Sequence, residues 1–572
     1  MKETTEGRPK ALSRTSFIIH RSSFIIAFVL GAATVAGYAP YYLFPLPVIT
    51  LAGLFYLWAR APGPRAAARI GFAFGLGLFL FGVSWVYVSL HDFGAMPMPL
   101  AAAATLLFCA FLALFPASVG YACARFKTPN AVRFGVLAPA AWMLAEWTRS
   151  WIFTGFPWLA LGYSQIPASP LAGYAPVLGI HGVTLVTAAS AGLLVAWWLA
   201  AVEKDEGGRV SRDFEERACA RSSRRTPDAM QRGGPGSLTK AEGRTRLKSL
   251  LINPASLMIV CLWLGGFALK QAEWTEPVGA QVKVSLLQGN VPQDLKWRDD
   301  RVLATLESYR ALARLSTSPL IILPETALPL FLEQVPRGYL DELATHARRN
   351  GGDILIGVPE RLPSGEYYNS VISYGTAPSQ TYRKSHLVPF GEFVPLRPVL
   401  GWIVSVLAIP LQDFSRGGED QRPLVIAGQR VAVNICYEDA FGEEIIRQLP
   451  EATLLVNVSN VAWFGRTIAP GQHLQISQAR ALETGRYMLR ATNTGVTGVI
   501  GPDGRLLGAA PEFTLAAVTH RVRGYSGSTP YVRWGNKAAL ALCFVLIAAA
   551  AWVIRRRNSR SRNSSGSAPT NS

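Results

Sequence analysis

The chain has 572 residues, of which 50% are hydrophobic and only 16% charged, a balance too apolar for an ordinary soluble multidomain protein. Its net charge of +19 does not point to nucleic acid. The lysines and arginines fall in short clusters beside apolar runs, as the cytoplasmic flanks of membrane spans do. In chain order, Met1 to Arg21 is a polar, basic extension. No small-residue cleavage site leads from it into a soluble mature sequence, so the apolar stretch that follows reads as a retained first span.

Spans are predicted over 22–38, 41–58, 70–90, 98–122, 132–150, 176–201, 249–270 and 537–554. At about 1.5 Å per residue each is long enough for a ~30 Å hydrocarbon core, the first marginally. Eight spans return both termini to one side. Arg60, Arg65 and Arg69 follow the second span, Arg125, Lys127 and Arg133 the fourth, and Arg555, Arg556, Arg557, Arg560 and Arg562 the eighth. The alternate loops 39–41 and 91–97 carry no lysine or arginine. The positive-inside rule therefore predicts cytoplasmic termini, a basic cytoplasmic tail over 555–572, and an external location for the loop after the fifth span and the region after the seventh.

Residues 203–249, between the sixth and seventh spans, are mixed in charge, rich in Arg, Ser and Gly, and without helical or strand periodicity. They read as a disordered cytoplasmic insert, a tolerated loop more than a binder of anionic lipid. The external loop Arg149–Gln165 packs five aromatics among Gly and Pro. Two readings stand side by side: an interfacial aromatic belt, or a rigid platform beneath an external domain that shapes a lipid entrance.

From about Gln281 the pattern becomes soluble α/β. Strand-like runs at Val282–Gln288, Leu320–Leu323, Asp353–Val358, Tyr368–Tyr374, Val431–Ile435, Thr453–Val458 and Val496–Ile500 alternate with helical ones at Arg301–Leu315 and Leu340–Arg349. Pro502-Asp-Gly504 reads as a turn between two late strands. Such a pattern predicts an α/β sandwich over 275–530 whose reactive groups gather where strands end.

Three strand ends carry ionisable groups. L-I-I-L-P-E delivers Glu325, T-Y-R-K-S-H-L-V-P-F-G-E delivers Lys384 and Glu392, and V-A-V-N-I-C-Y-E-D delivers Cys436 with Tyr437, Glu438 and Asp439 behind it. Cys109, Cys123, Cys261 and Cys543 lie in apolar runs and Cys219 in the polar insert, so Cys436 is the single thiol of the soluble-looking region. No C-x-x-C or Cys/His spacing suggests a metal, and no cofactor is expected. A glutamate can take a thiol proton, and a lysine can stabilise both a thiolate and the oxyanion of a tetrahedral intermediate. Val399–Leu411 is apolar, too short to span, and reads as a membrane-dipping lid or a core helix.

The order Glu325, Lys384, Cys436 with these surroundings resembles the Glu-Lys-Cys triad of the nitrilase, or carbon–nitrogen hydrolase, superfamily. With T-G-F-P-W-L…G-Y-S-Q in the external loop, Q-G-N-V-P-Q-D-L-K-W at the domain start and P-F-G-E-F-V-P-L-R after the lysine, the whole chain is similar to the apolipoprotein N-acyltransferase family. The resemblance implies a polytopic α-helical membrane protein of about eight spans with an inserted nitrilase-like αββα sandwich. It assigns Glu325 as general base, Lys384 as oxyanion stabiliser and Cys436 as acyl-carrying nucleophile, with Glu392, Tyr437, Glu438 and Trp297 supporting. It implies acyl transfer from a phospholipid, usually phosphatidylethanolamine, to the α-amino group of the diacylglyceryl cysteine that begins a bacterial lipoprotein. The setting it implies is the bacterial inner membrane, with a periplasmic catalytic domain and no nucleic acid partner. A membrane-tethered amidase or nitrile hydrolase with the same triad is the alternative; a transporter would be expected to place ionisable groups inside its spans, and the spans here carry few, with Glu146 the main candidate.

Overall fold

The structure, a computed structural model, describes residues 12–126, 128–222, 253–394 and 413–565. Helices Pro64–Gly82, Met98–Arg125, Pro170–Val202 and Lys537–Arg556 are long and apolar enough to cross a membrane, and Ser22–Gly37, Pro45–Ala59 and Pro254–Lys270 are shorter apolar helices. Over the expected fifth span, a π-helical turn at Arg133–Leu137 leads into the regular helix Ala138–Arg149. Small residues set how closely the helices approach. A Cβ on Gly71 would stand 2.4 Å from the Pro116 carbonyl oxygen, and one on Gly75 2.8 Å from Ala113 Cα. These two glycines, one turn apart, let Pro64–Gly82 lie backbone to backbone with Met98–Arg125.

Two expected boundaries are corrected. The first helix begins at Leu12, inside the stretch read as a polar extension. The helix that starts at Ala175 runs to Ser222, so residues 203–222 of the insert are helical rather than irregular. Ala, Glu, Lys and Arg are good helix formers, and a helix already nucleated upstream extends through them without a new nucleus and without an apolar stripe to announce it. The rest of the insert and Val399–Leu411 lie outside the described residues.

Among the described residues the α/β region holds twelve strands: β1 (Thr275–Gln288), β2 (Leu320–Ile322), β3 (Asp353–Arg361), β4 (Tyr367–Gly375), β5 (Thr381–Arg383), β6 (Leu424–Ile426), β7 (Gln429–Ile435), β8 (Leu454–Ser459), β9 (Met488–Thr492), β10 (Gly498–Ile500), β11 (Leu506–Ala509) and β12 (Ala516–Gly527). They form two six-stranded sheets, ordered β12-β1-β2-β3-β4-β5 and β11-β10-β9-β8-β7-β6. The central pairs β1/β2, β2/β3, β7/β8 and β8/β9 are parallel and the outer ones antiparallel. Because side chains alternate across a strand, Val282, Val284 and Leu286 face one way and Leu287 the other. The first set packs with Leu320, Ile322, Val431, Val433, Ile435, Val456 and Val458 between the two sheets. Leu287, Ile321, Ile354 and Ile356 pack outward against the helices Asp299–Leu315 and Arg337–Arg349. Ala432, Leu455 and Met488 pack outward against the helix Ala469–Thr484. The result is an αββα sandwich. Pro502-Asp-Gly504 is the turn joining β10 to β11, with Gly504 at φ +78° as its geometry demands.

The sandwich does not stand apart from the membrane helices. One buried apolar cluster runs from Leu54, Phe74 and Trp142 through Trp158 and Tyr163 to Tyr437, Ala440, Ala469, Ile476 and Leu482.

Candidate active site

Each candidate side chain leaves the end of a strand. Chain leaving β2 carries Glu325 out of the first sheet, and Lys384 follows β5 at that sheet's edge, its N–H donating to the Asn369 carbonyl at 2.8 Å. Cys436 follows β7 in the second sheet and adopts φ +56°, a left-handed conformation that costs a non-glycine residue on the order of 1 kcal/mol or more. Surrounding bonds hold it there. The Cys436 carbonyl accepts from Asn457 Nδ2 and His473 Nε2, both at 3.2 Å. Among the described residues Cys436 forms no disulfide, its Sγ has no hydrogen-bond partner, and the residue is half-buried.

Glu325 is 6% exposed and every oxygen is engaged. Oε1 accepts from Asn369 Nδ2 at 2.7 Å and from Lys384 Nζ at 3.4 Å, and Oε2 accepts from the Asn460 N–H at 2.7 Å. Lys384, 1% exposed, donates to Glu392 Oε1 at 2.8 Å, and Asn369 Nδ2 reaches the same oxygen at 3.0 Å. Glu392 Oε2 is fixed in turn by the Val388 N–H at 2.8 Å. Glu325, Lys384 and Glu392 therefore form one network, and Cys436 lies within electrostatic reach of all three.

The charge states follow from these contacts. Burial opposes ionisation of Glu325, but Lys384, the Asn369 amide and Lys296 outweigh it and hold the carboxyl below its ordinary value. Burial likewise opposes the Lys384 ammonium, yet Glu392 and then Glu325 hold its pKa above normal. Burial, followed by the Glu325 carboxylate, pushes the Cys436 thiol well up, with Lys384 pulling the other way. The lysine thus does not leave a standing thiolate. The resting arrangement is a neutral thiol beside a charged glutamate and a charged lysine, poised for general-base activation.

Tyr437 and Glu438 act on the surroundings. The Tyr437 hydroxyl donates to the Gly155 carbonyl at 2.9 Å, tying the turn at Cys436 to the Arg149–Gln165 loop. Gly155 sits at φ +86°, and a Cβ there would stand 2.1 Å from the Ser150 carbonyl oxygen, so only glycine fits. Glu438 accepts from the N–H groups of Ile435, Ser385 and His386 at 2.7, 2.7 and 3.0 Å and from the Tyr382 hydroxyl at 3.0 Å. It clamps the Lys384 loop onto β7, which leads into Cys436, and burial raises its own pKa. Trp297 is half-buried, and among the described residues no hydrogen bond or ring contact joins it to the triad. Its neighbour Lys296 is the one that reaches the site, 2% exposed, with Nζ 2.5 Å from Thr326 Oγ1.

Asn369, Asn460 and Lys296 were not singled out in the sequence. Asn369 sits in mid-strand, where nothing marks a polar residue as functional; Lys296 stood inside the quoted Q-G-N-V-P-Q-D-L-K-W motif. A second buried set, His473, Asp439, Arg490, Ser477 and Asn457, stands behind Cys436. His473 Nε2 lies 2.8 Å from Asp439 Oδ1, and Arg490 Nη1 donates to Asn457 Oδ1 at 2.6 Å and Asp439 Oδ2 at 3.2 Å. The loop aromatics divide: Trp151 and Phe153 are exposed, whereas Trp158 is buried against Trp85, His473 and Phe464 at ring separations of 5.2, 5.4 and 6.3 Å. This part of the loop is a platform under the sandwich. The Glu146 carboxylate accepts from Trp142 Nε1, the Leu161 N–H and the Thr184 hydroxyl at 2.9, 2.9 and 2.7 Å, bonds that tie its helix to the loop and to the next helix.

Comparison with known proteins agrees with this two-part architecture. The family model described as apolipoprotein N-acyltransferase N-terminal domain matches residues 30–193, and the one described as carbon-nitrogen hydrolase matches 283–531. The apolipoprotein N-acyltransferase of Nitrosomonas europaea is 52% identical over 92% of this chain and 96% of its own length. Those of Chromobacterium violaceum and Methylococcus capsulatus are 42% and 41% identical, over 91% and 94% of this chain and 92% and 97% of theirs. Relatives that align nearly end to end, through both the membrane helices and the sandwich, place this chain in the apolipoprotein N-acyltransferase family.

Proposed function

We propose that the chain transfers an acyl chain from a phospholipid, through a thioester on Cys436, to the α-amino group of the N-terminal diacylglyceryl cysteine of lipoproteins. The observation that carries this reading is a neutral thiol beside a charged Glu325 and Lys384, in a domain whose core is continuous with membrane helices. An acyl donor already in the bilayer then reaches the sulfur without its chains crossing water, which would cost about 0.8 kcal/mol per CH₂.

In the first half-reaction Glu325 takes the thiol proton as sulfur attacks the donor ester carbonyl, and the Lys384 ammonium receives the developing oxyanion. Glu325 returns the proton to the departing lysophospholipid oxygen, leaving the thioester. In the second, the lipoprotein amine attacks the thioester, Glu325 accepts its proton, and Cys436 leaves as thiolate and is reprotonated from Glu325. Glu392, paired with Lys384, and Glu438, clamping the lysine loop, keep the ammonium in place through both. Phosphatidylethanolamine as donor, an inner-membrane location, a periplasmic sandwich and cytoplasmic termini complete the proposal, the topology being supported by the arginines that follow the second, fourth and eighth spans.

With one site and one thiol the kinetics are ping-pong. Purified enzyme given phospholipid alone is expected to release about one equivalent of lysophospholipid and retain the acyl group on Cys436, as a ping-pong burst requires. A diacylated lipopeptide with a free amine then discharges it. Continuous fatty-acid release without acceptor would instead identify a hydrolase, and lysophospholipid appearing only with the lipopeptide would indicate a ternary complex.

A further inference from the structure

We propose that Lys296 is a positioning residue for the acyl transfer: a second buried ammonium that holds Glu325 oriented and ionised as the base. The inference rests on the reading of Glu325 as the proton acceptor for Cys436.

Lys296 is 2% exposed and its Nζ donates to Thr326 Oγ1 at 2.5 Å and to the Glu325 carbonyl at 3.4 Å. Burying an ammonium is expensive unless something holds it, and here the partners belong to the catalytic glutamate and the residue after it. Thr326 has φ +46°, so the backbone directly behind Glu325 is itself in a strained left-handed conformation. Lys296 grips that backbone from its side-chain hydroxyl and its neighbouring carbonyl together. Its own position is built rather than incidental. The loop that carries it is pinned by the Asn290 N–H on the Asn493 carbonyl and the Val291 N–H on Asn493 Oδ1, both at 2.9 Å, and by Gln293 Oε1, which accepts from Asn460 Nδ2 at 2.8 Å. Asn460 is also the residue whose N–H holds Glu325 Oε2. The loop, the base and the second sheet are thereby locked to one another.

Among the described residues, the charged groups facing this corner are Glu325 after β2, Lys384 after β5 and Glu392 beyond it, and the titratable but neutral thiol of Cys436 follows β7. Lys384 shares its ammonium between Glu392 at 2.8 Å and Glu325 at 3.4 Å. Its support of Glu325 is therefore divided, and a second cation supplies what it does not. Burial pulls the Lys296 pKa down to about 7 against the opposing pull of Glu325 and Cys436, so the group is charged throughout the acid range in which Glu325 titrates.

The sign of the effect is fixed. The base works only as carboxylate, so the rate of Cys436 acylation rises with pH through the Glu325 pKa, and removing a nearby positive charge raises that pKa. In full-length enzyme, Lys296→Met is expected to move the acid limb of first-turnover lysophospholipid release upward by about one pH unit, a tenfold loss of ionised base below it, while Lys296→Arg restores the limb. An unmoved or lowered limb in folded Lys296→Met overturns the proposal. Should that variant not fold, Thr326→Val decides. It keeps the cation but removes the hydroxyl that seats it, and a limb shifted the same way by a smaller amount supports the proposal, whereas an unshifted limb overturns it. Wild-type enzyme that releases no lysophospholipid would instead refute the acyltransfer reading itself.

Discussion

At the scale of single residues, the site is governed by which member of the thiol–carboxylate pair carries the charge. A half-buried thiol with a carboxylate nearby keeps its proton, and the ammonium is shared between two carboxylates instead of stabilising a resting thiolate. In the proposed mechanism, nucleophilicity is created only when Glu325 removes the proton. Cys436→Ser places a hydroxyl, far less acidic than a thiol, before the same base. It is expected to lower lysophospholipid release by about a thousandfold or more, the order lost when a covalent nucleophile is removed, with thermal stability near that of the wild type. Cys436→Ala is expected to form no thioester at all. Intact-protein mass spectrometry after incubation with phospholipid checks both, and a stable acyl adduct on the Ala variant would remove Cys436 from the role. That Glu325, Lys384 and Cys436 stand at strand ends was legible in the sequence, because strand ends are readable from apolar runs that stop at an ionisable residue. Asn369 and Asn460 were not, because a backbone N–H and a mid-strand amide become important only once the two sheets face each other.

At the scale of elements, the least legible piece is the helix Ala469–Thr484, and the reason is physical. Leu474 and Ala481 pack on the second sheet, while Ala469, Ile476, Ala479 and Leu482 join the cluster shared with the membrane helices. A helix buried all round carries no apolar stripe opposite a polar one, so its periodicity is hidden. Its polar residues are interior too. Gln472 Oε1 accepts from Trp158 Nε1 at 2.7 Å and Trp85 Nε1 at 3.3 Å while its Nε2 donates to the Gly82 carbonyl at 3.1 Å. Gln475 does the same one turn on, accepting from the Ala39 N–H at 2.9 Å and donating to the Ile166 carbonyl at 2.8 Å. β9 escaped the reading for a similar reason, since M-L-R-A-T contains a buried Arg490 that serves the network behind the nucleophile. By contrast, the helices Asp299–Leu315 and Arg337–Arg349 keep one face in solvent and were read to within a few residues. Gln472→Leu leaves the Trp158 N–H without a partner in the interior, a loss of about 1–3 kcal/mol. A lowered unfolding temperature in detergent is the expected result, and an unchanged one would show that the glutamine does not secure the sandwich to the helices.

At the scale of the whole molecule, the sandwich and the membrane helices share a core instead of being joined by tethers. The Tyr437 hydroxyl is bonded to Gly155, the Tyr163 hydroxyl reaches the Ala440 carbonyl at 3.4 Å, and Glu483 accepts from the Ile180 N–H at 2.7 Å while paired with Arg480 at 3.0 Å. Ile180 has a free N–H to give because the chain breaks from helical geometry at Gly179, φ +66°. Cut free of its helices, residues 272–530 would rehydrate these polar groups at little cost. The apolar surface is different: Tyr437, Ala440, Ala469, Ile476, Ala479 and Leu482 would face water together, a contiguous patch of the kind that drives association. Four of these lie on the helix that packs over β7 and β8, and Tyr437 and Ala440 lie in the turn that holds Cys436. Loosening of that surface therefore reaches Cys436. Residues 272–530 expressed alone are expected to aggregate or to require detergent, and to form no thioester with phospholipid under conditions in which the full chain does. Size-exclusion chromatography with intact-mass measurement tests this, and a soluble monomer acylated at the full-chain rate would show that the membrane helices serve only to deliver the donor.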